Sequence, residues 1–342
     1  MWWNCTNKWK KSSSPPCALS LLPDDILLNC FASVSKSDHA SLSLVNKGLL
    51  LSPELYQVRS LMGCTENCIF LCLSIPLDPF VRWFAFYPKA LNNPGRLVPI
   101  RPHLYQPQEA SSAVAYGCGI YIIGGMIGGK PSSRVFLLDC RFHTWSNLPC
   151  MGVARAYAAA GVVDGKIYVF GGCEDPNSDK WGEVFDPTTQ TWDVLPKRLE
   201  GPYSTVLTLQ LCTKALILWC QAIGSKVIKW REVMGLKDLM DALCASKLVN
   251  YGWGLPEEQL DNLLPGHKLS NSGPNMLLFC DVLAPSKLEI WCAEISLQRR
   301  KGKDEIWGKV EWSEVVTSLV PPRPLPQYQH HCKILHSLTL NL

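Results

Sequence analysis

The chain lacks the marks of most chemistries. None of its sixteen cysteines forms a Cys-x-x-Cys pair, which removes the usual zinc and thioredoxin-like signatures. The opening "MWWNCTNKWKKSSSPP" has no apolar segment of the kind a secretory signal needs. Buried free thiols in a reducing compartment, cytoplasm or nucleus, are therefore expected in place of a disulfide framework. The longest apolar stretch, "ALILWCQAIG", is closed off by Lys214 and Lys226 and is roughly half as long as a membrane span, so a soluble chain without a membrane partner is expected. Charge is scarce as well. Charged residues are 18% of the chain and the net charge is +4, too weak a bias to argue for a nucleic-acid partner. No Gly-x-Gly-x-x-Gly or Gly-Lys-Ser/Thr sequence leads into a helix, and no Gly-x-Ser-x-Gly elbow holds a nucleophile.

What the chain does have is apolar residue, 47% of 342 positions, enough for a large core. Residues 1–18 read as a flexible leader, because "KSSSPP" cannot hold regular structure. From 19 to about 64 the texture is helical. "LSLLPDDILLNCFASV" sets Asp24 and Asp25 at the positive end of a helix dipole, with Pro23 beside them. Ile26, Leu27, Cys30, Phe31 and Val34 then recur at helical spacing, and "HASLSLVNKGLLLS" repeats the pattern with Leu42, Val45 and Leu49. Cys64, Cys68 and Cys72 are also four apart, but strand-like residues surround the last of them and small apolar packing is the better reading.

After residue 64 short β-favouring runs alternate with Gly, Pro, Asn and Asp, an all-β texture. "CIFLCLSI", "RWFAFYP" and "RLVPI" are its first strands, with a proline-rich linker up to 111. A repeat follows. Gly124-Gly125 and Gly171-Gly172 are 47 residues apart, as are Asp139 and Asp186, and Trp145 and Trp192. A period in this range is what propeller blades show. One unit then reads as four strands: "AAAGVV", a turn at Asp164-Gly165, "KIYVF", the glycine pair, "WGEVFDP", a turn at "TTQ", and "TWDVL". The glycines are architecture on this reading. They allow positive φ and the close approach of a neighbouring blade.

The glycine pair with its spaced Tyr/Phe and Trp resembles the kelch repeat. "LPDDILLNCFASVSKSDHASLSLVNKGLLLSPELYQVRS" is similar to an F-box, and the order, with "RWFAFYP" and the late "LEIWCAEISL…EIWGKVEWSEV", resembles the plant F-box/kelch-repeat proteins. The resemblance implies a small all-α F-box of three helices (19–64) followed by an all-β kelch-type propeller. That propeller comprises the first strands and linker (65–111), clear repeats (112–150 and 156–199), a degenerate region (205–275) and a late blade (276–316), with a tail at 317–342. Because 112–316 spans little more than four steps of 47, the propeller is expected to be incomplete, about four to five blades, with a join near Gln210 to Lys214 and its least ordered part at 205–275. The resemblance further implies a substrate-recognition subunit of a Skp–cullin–F-box ubiquitin ligase, with no enzyme chemistry and no cofactor. Leu22, Pro23, Ile26, Leu27, Cys30, Leu42, Val45 and Lys47 would contact the Skp-type adaptor, and through it a cullin. Asn46 stands where the family more often has serine or cysteine. The propeller would hold an unidentified target protein.

Other readings are weaker. The apolar F-box residues could simply pack that unit's interior. A kelch module without ligase activity is the main alternative function. A propeller enzyme has no constellation behind it, since no Ser-x-Asp-x-Gly-x-x-Trp sialidase box occurs. His330, His331, Cys332 and His336 form the one metal-like cluster, but a frayed proline-flanked tail explains them better than zinc. "QRRKGKDE" reads as a solvated hairpin tip. Arg155, in the loop between the two clear repeats, is a candidate target contact. The alternative, a buried arginine bonding loop carbonyls, has equal weight.

Overall fold

The structure is a computed structural model. It describes residues 22–75, 78–87, 95–173, 180–195, 218–223, 227–234, 268–272, 275–284, 287–299, 306–319 and 333–342. The chain divides into two units, Met1–Glu66 and Asn67–Leu342. No helix among the described residues is long and apolar enough to cross a membrane.

In the first unit, α1 (Asp24–Ala32) begins directly after Pro23 and carries Asp24 and Asp25 in its first turn. A single 3-10 turn (Lys36–Asp38) leads into α2 (His39–Leu42). Asn46 caps α3 (Lys47–Leu50): its Oδ1 accepts from the Leu49 N–H at 3.1 Å. Asparagine is among the strongest N-caps, which gives this residue a structural task of its own. Ser52 and Pro53 then start α4 (Pro53–Leu61) in the same manner. Leu27, Phe31 and Ala32 on α1 are buried, as are Leu55 and Tyr56 on α4, and these two helices pack together. Among the described residues the expected three helices are four, two of them single turns.

Among the described residues the regular elements of the second unit are all strands. β1 (Asn67–Ser74), β2 (Arg82–Tyr87) and β3 (Arg96–Pro99) form an antiparallel run. β4 (Ser112–Tyr116), β5 (Gly119–Ile123), β8 (Val135–Asp139) and β9 (Thr144–Leu148) make a four-stranded sheet, with a small ribbon of β6 (Met126–Ile127) and β7 (Lys130–Pro131) between β5 and β8. β10 (Ala159–Val163), β11 (Lys166–Phe170), β12 (Gly182–Asp186) and β13 (Thr191–Val194) repeat that four-stranded sheet. The hairpin β14 (Leu218–Ile223) and β15 (Val227–Met234) precedes the long strands β16 (Lys268–Ser272), β17 (Asn275–Ala284), β18 (Lys287–Arg299) and β19 (Ile306–Leu319).

The last strand, β20 (Lys333–Asn341), returns to the beginning and pairs antiparallel with β1, with Phe70 opposite Leu338. It completes a four-stranded sheet in the order β20-β1-β2-β3. This corrects the reading of the C-terminus as a frayed tail, at least for 333–341. Ile334, His336, Leu338, Leu340 and Leu342 alternate with other residues, a period-two signal masked by the prolines before it. His336 is built into this sheet, opposite Cys72 and stacked on Trp83 at 6.0 Å. His330, His331 and Cys332 lie outside the described residues.

The inner strands β10, β4, β20 and β16 lie side by side in that order, which is the arrangement of propeller blades. One core cluster fills the space between the β1–β3 and β16–β19 sheets, with Leu71, Phe86, Phe279, Ile290 and Ile334 among its members. A second joins Ile123, Val135, Ile167, Val169 and Phe185 across the two repeated sheets. β5 is buried along its whole length, whereas in β11 only Ile167 and Val169 are fully buried. Among the described residues no closed ring of four-stranded blades is formed, in keeping with an incomplete propeller. Among the described residues there are three four-stranded sheets and one of six, in which β15 docks in parallel on the outer edge of β19 through Val233–Ile306 and Met234–Trp307. The expected join at Gln210 to Lys214 lies outside the described residues, as do most of 205–275 and the tip 300–305.

The 47-residue repeat extends to backbone conformation. Left-handed φ occurs at Ala110 and Tyr157, Gly117 and Asp164, Gly124 and Gly171, Gly125 and Gly172, and His143 and Gln190, each pair one period apart. In the first pair both glycines are crowded, a Cβ on Gly124 running into the Arg155 carbonyl, whereas in the second pair only Gly172 is. A Cβ on Gly125 would sit 2.7 Å from Pro107 Cβ, and one on Gly172 would run into the Ala156 carbonyl, whereas Gly171 has open space. Gly171→Ala should therefore cost only the left-handed backbone, about 1–2 kcal/mol, and Gly172→Ala clearly more. Equal urea midpoints for the two variants would remove the close-approach argument. Deleting residues 333–342 should leave β1 as a bare apolar edge and promote aggregation. A truncated chain that stayed monomeric and melted with the parent would show β20 to be dispensable.

Candidate functional site

Two surfaces carry the sequence's candidate residues, one in each unit. On α1, Ile26 and Cys30 are four residues apart and share one side, and both are exposed, Ile26 by 48%; Leu22, two residues before the helix, is exposed as well. Pro23 and Lys47 are exposed and Leu42 is half-buried. Val45, in the turn between α2 and α3, is exposed by 42%. Leu27 departs from this group. It is 3% exposed and belongs to the interior with Phe31, because a step of one residue turns a helical side chain by ~100°.

A buried cation that sequence reading passed over holds this surface in place. Arg59 on α4 is fully buried, and its Nη1 donates to the carbonyls of Ala32 (3.0 Å) and Val34 (2.5 Å) at the end of α1. Its Nη2 lies 3.5 Å from Glu66 Oε1, while Glu66 Oε2 accepts from Ser35 Oγ and the Lys36 N–H. Helix-terminal carbonyls need such donors. His39 is held below its ordinary pKa, first by burial and then by the Arg59 and Lys36 charges. The only hint in the sequence was a basic residue within a helix whose neighbours are apolar.

In the sheet unit, Arg155 is not a surface contact. Its side chain is fully buried and paired with the equally buried Glu183 at 2.9 Å. Nη1 donates to Gly171 O (2.7 Å) and Trp181 O (3.0 Å), and Nη2 also to Lys180 O. Glu183 further accepts from the Gly152 N–H at 2.6 Å. The backbone of Arg155 meanwhile donates to Ser132 O and accepts from the Gly125 N–H. This residue ties the second repeat to the first, and the expectation of a target contact here is corrected. Burial wins because a loop between blades has carbonyls to satisfy and a guanidinium has five donors.

The other repeat residues are structural in detail. Trp145 Nε1 donates to Arg101 O and Trp192 Nε1 to Pro149 O, each at 2.8 Å. Both indoles therefore bond the chain just before their own repeat. Asp186 accepts from the Thr188 N–H and hydroxyl, which hold its carboxyl down at about 2, and Asp139 accepts from Arg141. Each aspartate closes the turn to the outer strand. Among the described residues no group of three His, Cys, Asp or Glu side chains could hold a metal ion.

Residues 19–50 match the F-box domain, and residues 83–219 match the FKB95 kelch-repeats domain. The F-box/kelch-repeat protein At5g03000 of Arabidopsis thaliana is 41% identical over 333 residues, covering 92% of this chain and 87% of that one. The chain belongs to the plant F-box/kelch-repeat family. A second member, At4g39590 of the same plant, is 35% identical over 384 residues and is covered to 90%. An F-box joined to kelch repeats is the plan of a substrate adaptor, and members of the family are generally adaptors and not enzymes.

The Arg155 geometry sets a measurable expectation. Arg155→Ala would strand Glu183 and three carbonyls in the interior and should cost about 3–5 kcal/mol, with a marked fall in thermal midpoint. Glu183→Ala should behave alike. An Arg155→Ala protein melting within about 2 °C of the parent would return the residue to the list of surface contacts.

Proposed function

We propose that the protein is the substrate-recognition subunit of a Skp–cullin–F-box type ubiquitin ligase, its F-box docking on a Skp-type adaptor and its kelch propeller holding the protein to be modified. The observation that carries this reading is the exposed pair Ile26 and Cys30 on α1, with the exposed Leu22 just before the helix, on the side away from that unit's own core. Apolar residues set out on a helix whose opposite side already fills a core are best used as an interface. The propeller performs no chemistry in this scheme. It raises the effective concentration of a target near the transferring enzyme. The described cysteines are free thiols, which suits work in the cytoplasm or nucleus.

The test uses the exposed residues against the buried one. Leu22→Lys with Ile26→Lys should abolish co-purification of a Skp-type adaptor while leaving the protein folded. Loss of a central anchor is worth ~2 kcal/mol or more, roughly thirtyfold in affinity. Leu27→Lys should instead unfold the F-box, seen as lost helical circular dichroism. A folded double variant that retains the adaptor at parental affinity would favour the alternative, a kelch interaction module outside any ligase.

A further inference from the structure

The loop between β3 and β4 presents an apolar tip that the fold itself does not use. Leu104 is 64% and Tyr105 62% exposed. Both flanks of that pair are fastened. On one side the His103 ring packs on Phe136 at 4.9 Å and on Trp145 at 5.8 Å. On the other, Gln106 is buried and donates to Val81 O at 2.7 Å, and Pro107 is buried in the space left by Gly125. The Tyr105 N–H donates to His103 Nδ1, which requires that nitrogen to be an acceptor. Burial, and then the Arg134 charge, lower the His103 pKa, which favours the neutral ring.

Over this tip lies a cation. The Arg134 guanidinium sits 5.8 Å from the Tyr105 ring centroid, and its backbone is held by Ser132 Oγ and the Gly124 N–H. Arg134 and Arg101, three residues before Leu104, are both exposed. Among the described residues no carboxylate lies within ion-pair distance of either. A guanidinium stacked on an aromatic face keeps its N–H edge available for bidentate bonding to a carboxylate.

We infer that Leu104, Tyr105 and Arg134, with Arg101 beside them, form a docking point for an acidic segment of the target protein, one that sets an aspartate or glutamate next to an apolar side chain. The inference rests on the adaptor reading above and specifies its target. Charge complementarity selects the carboxylate. The exposed Leu–Tyr pair selects the apolar neighbour, and the fastened flanks reduce the ordering cost of binding. Tyrosine and arginine are also the residues that most often dominate binding energy at interfaces.

The experiment selects binders to the full-length protein from a display library of short random peptides. Selected peptides are re-measured by fluorescence anisotropy on Arg134→Glu, Tyr105→Ser and, as a control in the second repeat, Lys166→Glu. The expected result is enrichment of peptides with Asp or Glu beside an apolar residue, weakened at least ~10-fold by Arg134→Glu and by Tyr105→Ser but not by Lys166→Glu. Thermal midpoints of Arg134→Glu and Tyr105→Ser, near the parent's because these side chains are exposed, show that both remain folded, while Lys166→Glu, which loses its 3.3 Å pairing with Asp186, need only remain folded. Enrichment of basic or neutral peptides, no enrichment, or acidic peptides indifferent to both substitutions would each overturn the inference. Adaptor capture by the same preparations is read separately. If the adaptor is retained while acidic peptides fail, the docking point alone is wrong, whereas loss of the adaptor from the parent protein strikes the ligase reading.

Discussion

The pairing of Arg155 with Glu183 is the constraint around which the two clear repeats are arranged. A charged pair with no exposed surface gives up its hydration, and only a full set of partners offsets that loss. Here the guanidinium reaches the glutamate and the carbonyls of Gly171, Lys180 and Trp181, while the glutamate also takes the Gly152 N–H. Every one of these partners lies in a loop or at a strand end. The pair therefore fixes the connections between sheets, which apolar packing between strands leaves free.

The glycine pairs act on the same connection. The loop at Arg155 and Ala156 runs between them, taking the Gly125 N–H on one side and donating from Ala156 to Gly172 O on the other. Such an approach leaves no room for a Cβ at Gly125 or Gly172. Once the loop is drawn in, neighbouring residues adopt left-handed backbone whatever their side chain. Tyr157 and Ala110 do so one period apart, although nothing in a tyrosine favours that region. The repeat is thus a repeat of backbone path, and the side chains follow it only where space is short.

Sheet edges are handled by long-range pairing. β1 would be an open inner edge without β20, and the outer edge of β19 carries the β14–β15 hairpin. Both devices remove unpaired backbone groups from places where another chain could add a strand. The β1–β3 sheet, held between β20 and its neighbours, supports the fastened loop from which Leu104 and Tyr105 project.

Periodicity and turn chemistry were legible in the sequence. The alternation in "KIYVF", the Asp164-Gly165 turn and the glycine, aspartate and tryptophan spacing located strands and turns of the repeats, and the apolar stripe with Asp24 and Asp25 located α1. These are local signals, set by residues within a few positions of one another. What the sequence could not reveal depended on partners far along the chain. Leu27 and Ile26 are equally apolar, and only the packing of α4 decides which is inside. Arg155 reads equally as a target contact or a buried residue until Glu183 is folded against it, and Lys333–Asn341 reads as a tail until β1 offers it an edge. Periodicity along one segment fixes which side chains share a face, but whether that face meets solvent, a carboxylate or another strand is settled by contacts that exist only when the chain has closed on itself.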